Sequence, residues 1–340
     1  MTTVQTPSAY PTLTIKNGQQ KAVAQGHPWV YRTQIDKIVA PSGNLQQGDL
    51  PADQMPLDTP PAGDSLVIDV VDFRGRYLGR GFYNPDSMIA VRLFSQQPEI
   101  IDEALIRRRI AEAIAFRRRF ARPDTDSYRL IFGEADRLPG LIVDQFAQTV
   151  VVQVLSLGLE QFLPAICAEL EAQVAPQRLI LQHEEAIRIK EGLPLYRRVV
   201  LGDDCERTVI RENGLSLTID LAKGQKTGYF LDQKANHAYL RQFSAGQRVL
   251  DCFTYIGGFA LNALAGGAAA VTAVDVSAAA IELTAENARL NGLSDRLTTI
   301  TANAFDFLRE EVRAGHTYDV IVLDPPAFAK SHAARAAAVR

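Results

Sequence analysis

The sequence predicts an α/β protein whose C-terminal zone is a parallel sheet with helices on both faces, preceded by a small β-barrel and a small α+β segment. Three observations carry this. From Arg248 onward, strand-like segments (RVLDCF, AVTAVDV, LTTITAN and YDVIVLD) alternate with helical ones, and such alternation gives parallel pairing through crossover helices. Up to Ser95 the chain is rich in short alternating strands with Gly or Pro-Asp turns between them, the signature of a small barrel. Between these zones a helical stretch gives way to strands. The expected divisions are residues 1–95, 96–198 and 199–340.

The elements follow in order. LTIKNG, SLVIDVVDFRGRYLGRGFYNP and MIAVRLF supply the first zone's strands, while residues 40–64, rich in Pro, Gly and Asp and without periodicity, read as a mobile surface loop. In the second zone Asp102 is a fitting N-cap. Ile106, Ile110 and Ile114, with Leu105, Ala113 and Phe120, mark one helical face, and Pro123 ends the helix. YRLIFGEADRLPGLIVDQFAQTVVVQVLS reads as strands around a Gly-Glu-Ala-Asp turn, followed by a helix, LEQFLPAICAELEAQV, and a strand, RLILQH. The third zone opens near Val199 with a hairpin, RTVIRENGLSLTID, turned at Glu-Asn-Gly. Its clearest helix, SAAAIELTAENARLN, closes at Gly292.

Composition narrows the function. With 340 residues, 47% hydrophobic and 22% charged, the chain can bury real cores. No apolar run approaches the ~20 residues that span a bilayer, and the N-terminus lacks a signal pattern, so a cytoplasmic protein without membrane partners is expected. Cys167, Cys205 and Cys252 are scattered and odd in number, which supports neither a disulfide framework nor a zinc site. A net charge of −3 argues against coating nucleic acid by bulk charge, but a local basic surface is still open to it.

The chemistry gathers in VLDCFTYIGGFALNALAGGAAAVTAVD. Asp251 ends the first strand of the parallel zone, Gly257 and Gly258 follow, and Asp275 ends the second strand. Open α/β sheets bind ligands beyond such strand ends. Glycine admits close backbone approach, the next helix offers free N–H groups, and a carboxylate at Asp275 can accept both ribose hydroxyls. A dinucleotide would require GxGxxG, which Thr254-Tyr255-Ile256-Gly257-Gly258-Phe259 does not supply. A nucleoside without phosphates, such as S-adenosylmethionine, suits the site better. The fourth strand ends in VIVLDPPAFAKS. Asp324, the stiff Pro325-Pro326 pair and Phe328 make a candidate pocket for a planar base drawn out of its stack.

These segments resemble a known family. GQKTGYFLDQ, VLDCFTYIGGFALNALAGGA, NARLNGL and LDPPAFAKS look like class I S-adenosylmethionine-dependent methyltransferases of the 23S rRNA large-subunit methyltransferase I type. GHPWVYRTQI and GRYLGRGFYNPDSMIAVRLFS are similar to that family's N-terminal PUA domain, and RLIFGEADRLPGLIVDQF resembles its middle domain. The resemblance implies a PUA-like RNA-binding barrel, a middle domain and a Rossmann-like methyltransferase domain that makes 5-methylcytosine in 23S rRNA. It implies that Asp251, Phe253, Gly257 and Gly258 line the methionine end of the cofactor, that Asp275 holds the ribose, and that Asn303 sits by the adenine. Asp324 would flank the target base, with Lys226, Asp232 and Gln233 closing the site from the N-terminal side. The family usually has Asp where this chain has Asn303, whose carbonyl can still accept from adenine N6.

Cytosine C5 is a poor nucleophile until a thiolate adds at C6. No Cys stands in DPPAFAKS, and Cys167, Cys205 and Cys252 each read as structural. The family carries its nucleophile downstream of the fourth strand, so the methyltransferase domain is expected to be incomplete at its C-terminus, with the catalytic Cys beyond Arg340. RNA contacts are expected from the barrel, with Lys21, His27, Trp29 and Arg32 near its start, although Trp29 reads equally as a core residue. Arg107, Arg108, Arg109, Arg117, Arg118, Arg119 and Arg122 read either as phosphate contacts or as a solvated helix face. Two other functions stay open: methylation of a base nitrogen, and RNA binding without catalysis. Oligomeric state is not legible.

Overall fold

The computed structural model describes residues 10–39, 50–51 and 67–326. Two compact units divide the chain: residues 1–120 with 129–203, and residues 121–128 with 204–340.

The first unit contains two sheets. Strands β1 (Thr12–Ile15), β2 (Trp29–Tyr31), β3 (Ile35–Val39), β4 (Leu50–Pro51), β5 (Val67–Val71), β6 (Tyr77–Tyr83) and β7 (Ile89–Ser95), with a short helix α1 (Lys21–Ala24), form the first, in the order β2-β7-β6-β5-β1-β3-β4. Pairing is antiparallel except between β1 and β5. Alternate residues Leu13 and Ile15 point into a core with Val30, Ile68, Val70 and Val91, as the period of two requires. Gly81 lets β6 press on β7, since a Cβ there would stand 2.1 Å from the Arg92 carbonyl oxygen. Within the stretch read as a loop, β4 pairs with β3. This corrects the expectation for those two residues; the rest of that loop lies outside the described residues.

Helix α2 (Glu103–Arg118) starts where expected: the Asp102 side chain accepts from Leu105 N at 2.9 Å. Leu105, Ile106, Ile110, Ala113 and Ile114 are buried. Phe120 is not on that face; it follows the helix and is 68% exposed. The second sheet comprises β8 (Tyr128–Phe132), β9 (Leu141–Phe146), β10 (Thr149–Val154), β11 (Arg178–His183) and β12 (Tyr196–Leu201), ordered β12-β11-β10-β9-β8. The single helix expected over 159–174 is two, α3 (Leu157–Glu160) and α4 (Leu163–Val174). Pro164 has no N–H to continue the first, and it fits the opening turn of the second. A short α5 (Ile187–Lys190) precedes β12. Sequence reading missed β12 because Arg197 and Arg198 interrupt its apolar pattern, as an edge strand permits.

In the second unit, β13 (Arg207–Glu212) and β14 (Leu215–Asp220) form the expected hairpin. Asn213 (φ 52°) and Gly214 (φ 79°) turn it in the left-handed region that favours this pair. Helix α6 (Lys234–Leu240) leads to a parallel sheet of β15 (Arg248–Cys252), β16 (Ala270–Asp275), β17 (Leu297–Thr301) and β18 (Val320–Leu323), ordered β17-β16-β15-β18. Helices α7 (Gly258–Ala265), α8 (Ala278–Leu290) and α9 (Ala304–Ala314) make the crossovers. Ser277 caps α8, and Gly292 (φ 66°) follows its last turn. Asn287 and Asn291 accept from Thr218 N (2.7 Å) and Ser216 N (2.9 Å), fastening β14 to α8. Among the described residues no helix is long and apolar enough to cross a membrane.

Candidate active site

Parallel pairing in register brings three acids to one end of the sheet. Asp251 lies in β15, Asp275 closes β16, and Asp324 follows β18. Their surroundings differ sharply. Asp251 is 1% exposed. Its Oδ2 accepts from Thr254 Oγ1 (2.6 Å) and Ala260 N (3.0 Å), while its Oδ1 is buried without a hydrogen-bond partner. Burial pushes this carboxyl up to about 7, against the two hydrogen bonds and the pull of nearby His237.

The loop after β15 is tightly wound. Phe253 (φ 63°), Tyr255 (φ 52°) and Gly257 (φ 89°) all take left-handed backbone. For the two aromatic residues this is strained, and such strain persists only where the surroundings impose it. The Tyr255 N–H donates to Asp275 Oδ2 at 2.9 Å, and its hydroxyl donates to the Gly228 carbonyl at 3.2 Å. The half-buried Phe253 packs on the cluster of Leu250, Cys252, Val274 and Phe307. Gly257 and Gly258 are enclosed by protein: added Cβ atoms would stand 2.8 Å from Thr284 Cγ2 and 2.6 Å from His237 Cε1. These glycines therefore let the turn pack against its supports, a role beyond admitting a ligand.

Asp275 also accepts from Ser277 N (2.9 Å) through Oδ1. Each of its oxygens thus holds one backbone N–H and keeps lone-pair capacity for a further donor. Asn303 is exposed and caps α9, its Oδ1 accepting from Phe305 N at 2.9 Å. That bond uses one lone pair of the oxygen expected to face adenine.

The exposed Asp324 accepts from Gln233 Nε2 at 3.1 Å, and Asn236 Nδ2 donates to Gln233 Oε1 at 2.7 Å. The second bond fixes which end of the Gln233 amide faces the acid. Lys226 (φ 57°) pairs with Asp232 at 2.9 Å and lies 4.5 Å from the Phe230 ring centroid. Of the GQKTGYFLDQ residues, Gln233 thus reaches Asp324, and Lys226 and Asp232 reach each other. Pro325 and Pro326 are exposed; Phe328 lies outside the described residues.

Nearly the whole chain has known counterparts. A family model described as S-adenosylmethionine-dependent methyltransferase matches residues 129–338, and a PUA-like domain model matches residues 13–96. The chain belongs to the S-adenosylmethionine-dependent methyltransferase family. Ribosomal RNA large subunit methyltransferase I of Klebsiella pneumoniae (strain 342) is 36% identical over 330 residues, 96% of this chain and 78% of that protein. The protein of the same name from Salmonella schwarzengrund (strain CVM19633) is 34% identical over 333 residues, 97% and 78% of the two chains. Among solved structures, SMU.776, a methyltransferase complexed with SAH, superposes with a TM-score of 0.76 at 22% identity, covering 94% of this chain and 77% of that one. A SAM-dependent methyltransferase from Streptococcus mutans gives 0.74 at 21% identity, covering 94% and 80%. At these identities the likeness is one of fold.

The methyltransferase has residues that fit its cofactor. The buried, unpartnered Asp251 Oδ1 suits a charged donor such as the methionine amine, and Asp275 keeps acceptor capacity for hydroxyls. Sequence reading missed Thr254 and Tyr255, which shape the turn, and the buried group Glu212, Tyr229 and His237 behind it. Polar residues spread over a hairpin, a loop and a helix leave no spacing signal. Most of the α2 arginines are paired within the protein, though only Arg109 among them is buried. Arg109 is buried on the Phe94 and Arg137 carbonyls and Glu99; Arg117 holds Asp136 bidentately; Arg107 and Arg108 pair with acids. Arg119 is exposed. Trp29 is half-buried, its Nε1 donating to Glu134 at 2.7 Å, and its ring meets His27 edge-on. Lys21 and Arg32 are exposed. Cys167 and Cys252 are buried, and burial pushes both thiols up to about 11. The Cys205 thiol donates to the Arg207 carbonyl.

Proposed function

We propose that the chain methylates RNA, and that its target is C5 of a cytosine in 23S rRNA. The observation that carries the reading is the row of strand-end acids with an amide aimed at the outermost, in a chain 34–36% identical over nearly its whole length to proteins named ribosomal RNA large subunit methyltransferase I. When bound, S-adenosylmethionine supplies an electrophilic methyl group. Asp251 neutralises the methionine amine, beside Phe253 and the Gly257–Gly258 turn. Asp275 accepts the ribose hydroxyls, and Asn303 borders the adenine. Asp324, oriented by Gln233, accepts from the base's Watson–Crick edge, as enzymes that act on a flipped base require. Pro325, Pro326 and Phe328 wall the base, and the Lys226–Asp232 pair closes the N-terminal side.

RNA is held by the PUA-like domain through Lys21, His27, Trp29 and Arg32. Exposed Lys21 and Arg32 suit phosphates, which position a nucleic acid without reading its sequence. Trp29 is pinned by Glu134 and serves more as a fixed wall than as a mobile stacking partner. A cytoplasmic site of action fits rRNA as substrate.

C5 chemistry requires a thiolate at C6, and a buried thiol pushed up to about 11 is not ionised at neutral pH. The reading therefore places the nucleophile at neither Cys167 nor Cys252, and the family resemblance puts it downstream of Arg340. The test uses the full-length protein with ribosomal RNA and S-adenosylmethionine, followed by nucleoside mass spectrometry. 5-Methylcytidine, and covalent trapping on 5-fluorocytosine RNA, are expected. A methyl group on a ring or exocyclic nitrogen without trapping supports the second reading. RNA binding with no methyl transfer leaves only a binding protein.

A further inference from the structure

Behind the glycine turn stands a buried polar group that the cofactor contacts leave unexplained. Glu212 at the end of β13, Tyr229 in the loop before α6, and His237 in α6 are each at most 4% exposed. His237 Nδ1 lies 2.7 Å from Glu212 Oε1, and the Tyr229 hydroxyl donates to the same oxygen at 3.2 Å. A carboxylate only accepts, so Nδ1 carries the proton and the far edge of the ring, Cε1 and Nε2, is turned elsewhere. That edge meets the cofactor turn. A Cβ on Gly258 would stand 2.6 Å from Cε1 and 2.7 Å from Nε2. The ring also packs edge-on against Phe259 at 4.5 Å.

A buried ionisable group is costly unless something is gained from holding it. Here Glu212 and Tyr229 hold one ring at one angle, and the ring supports Gly258, two residues before the Ala260 N–H that donates to Asp251. We infer that His237 is a positioning residue for the cofactor site: clamped by Glu212 and Tyr229, it fixes the Gly257–Gly258 turn and, through it, Asp251. This rests on the reading that the turn and Asp251 receive the methionine end of S-adenosylmethionine. Hairpin and sheet are thereby joined at a loop where a small displacement costs affinity, since misplacement by about 1 Å can cost up to about a hundredfold in function.

The test is a double-mutant cycle read by calorimetric binding of S-adenosylhomocysteine to the full-length protein. His237→Asn keeps a donor near the Nδ1 position for Glu212 and empties the space behind Gly258. It should weaken binding about tenfold, within the range for coupled neighbours, and raise KM for S-adenosylmethionine while kcat at saturation holds. Gly258→Ala alone should also weaken binding, because its methyl meets the ring. In the double variant the methyl occupies the vacated space, so the losses should not add; affinity should recover toward that of the better single variant. Additive losses, or unchanged affinity in a folded His237→Asn protein, would overturn the inference. If His237→Asn fails to fold, Glu212→Gln, which weakens the clamp and leaves the ring in place, should show the same KM-against-kcat split, and its absence counts equally against the idea. Asp275→Ala run in parallel separates the two layers. Loss of binding there with none in the His237 variant rejects the positioning role alone, whereas binding intact in both rejects the cofactor site.

Discussion

Asp251 and Asp324 stand at the same end of adjacent, in-register strands, yet the fold treats them as different chemical objects. Asp251 is sealed under α7, partnered on one oxygen and orphaned on the other. Asp324 is exposed and held by one amide. Strand flanks make the difference. Every residue of β15 after Arg248 is buried, whereas exposed and half-buried residues alternate along β18. A carboxylate in the first setting is a poised charge that a cationic ligand can draw out. In the second it is a solvated acceptor whose geometry is set by the Gln233 amide.

The sharpest way to break this contrast is pH. Asp251 titrates near the ordinary 3.8 when unfolded and about 7 when folded, so between those values the folded state binds the extra proton. Its stabilising contribution is fully present below the lower value and is lost as pH rises through the upper one. Between pH 4 and 8 the wild type should lose about 3–5 kcal/mol relative to Asp251→Asn, measured by denaturant unfolding at each pH. A gap that stays constant with pH would mean the carboxyl is not sealed. S-Adenosylhomocysteine binding near pH 6 should also release protons, detected as a dependence of the calorimetric heat on buffer ionisation enthalpy; Asp251→Asn should abolish that release.

Asp275 lies between the two extremes. Asp275→Ala should cost about 1.5–3 kcal/mol in S-adenosylhomocysteine affinity, as for lost hydrogen bonds involving a charged group. Asp275→Asn should cost less, because its amide oxygen can still accept from Tyr255 N or Ser277 N. Equal losses would assign the whole effect to the missing carboxylate charge.

At the exposed acid smaller effects are expected. Gln233→Ala should lower kcat by about tenfold or less, the loss of one net hydrogen bond of about 0.5–1.5 kcal/mol. S-Adenosylhomocysteine affinity should not change, and Asn236→Ala should reproduce part of the loss. A change in cofactor affinity in Gln233→Ala would place that side chain on the cofactor side. Least of all should come from Asp232→Asn, which breaks a surface ion pair and should shift unfolding free energy by less than about 1 kcal/mol.

Local patterns made much of the framework legible. Leu13 and Ile15 alternate, Asp102 and Ser277 cap, Asn213-Gly214 turns, and Gly292 follows a helix, each through interactions within a few residues. The glycine turn and strand-end acids were legible for the same reason, and the residue types matched a family. Errors arose where distant partners decide. Phe120 continued the periodicity of α2 but fell past its end, and β12 hid behind two arginines. The basic run of α2 left phosphate contacts and a solvated face both open, and its pairing with Glu99, Asp136 and Glu169 is written nowhere in the local spacing.

By itself the sequence determined the parallel sheet with its alternating helices, the placement of three acids at strand ends and a cofactor without phosphates. Periodicity, capping and turn chemistry are short-range and are written along the chain. Only tertiary structure decided which of those acids is buried and titrates high, which amide aims at Asp324, and that a histidine from α6 stands behind Gly258. Those depend on desolvation and on partners 25 and 91 residues apart in sequence, and neither burial nor approach in space is encoded in local spacing.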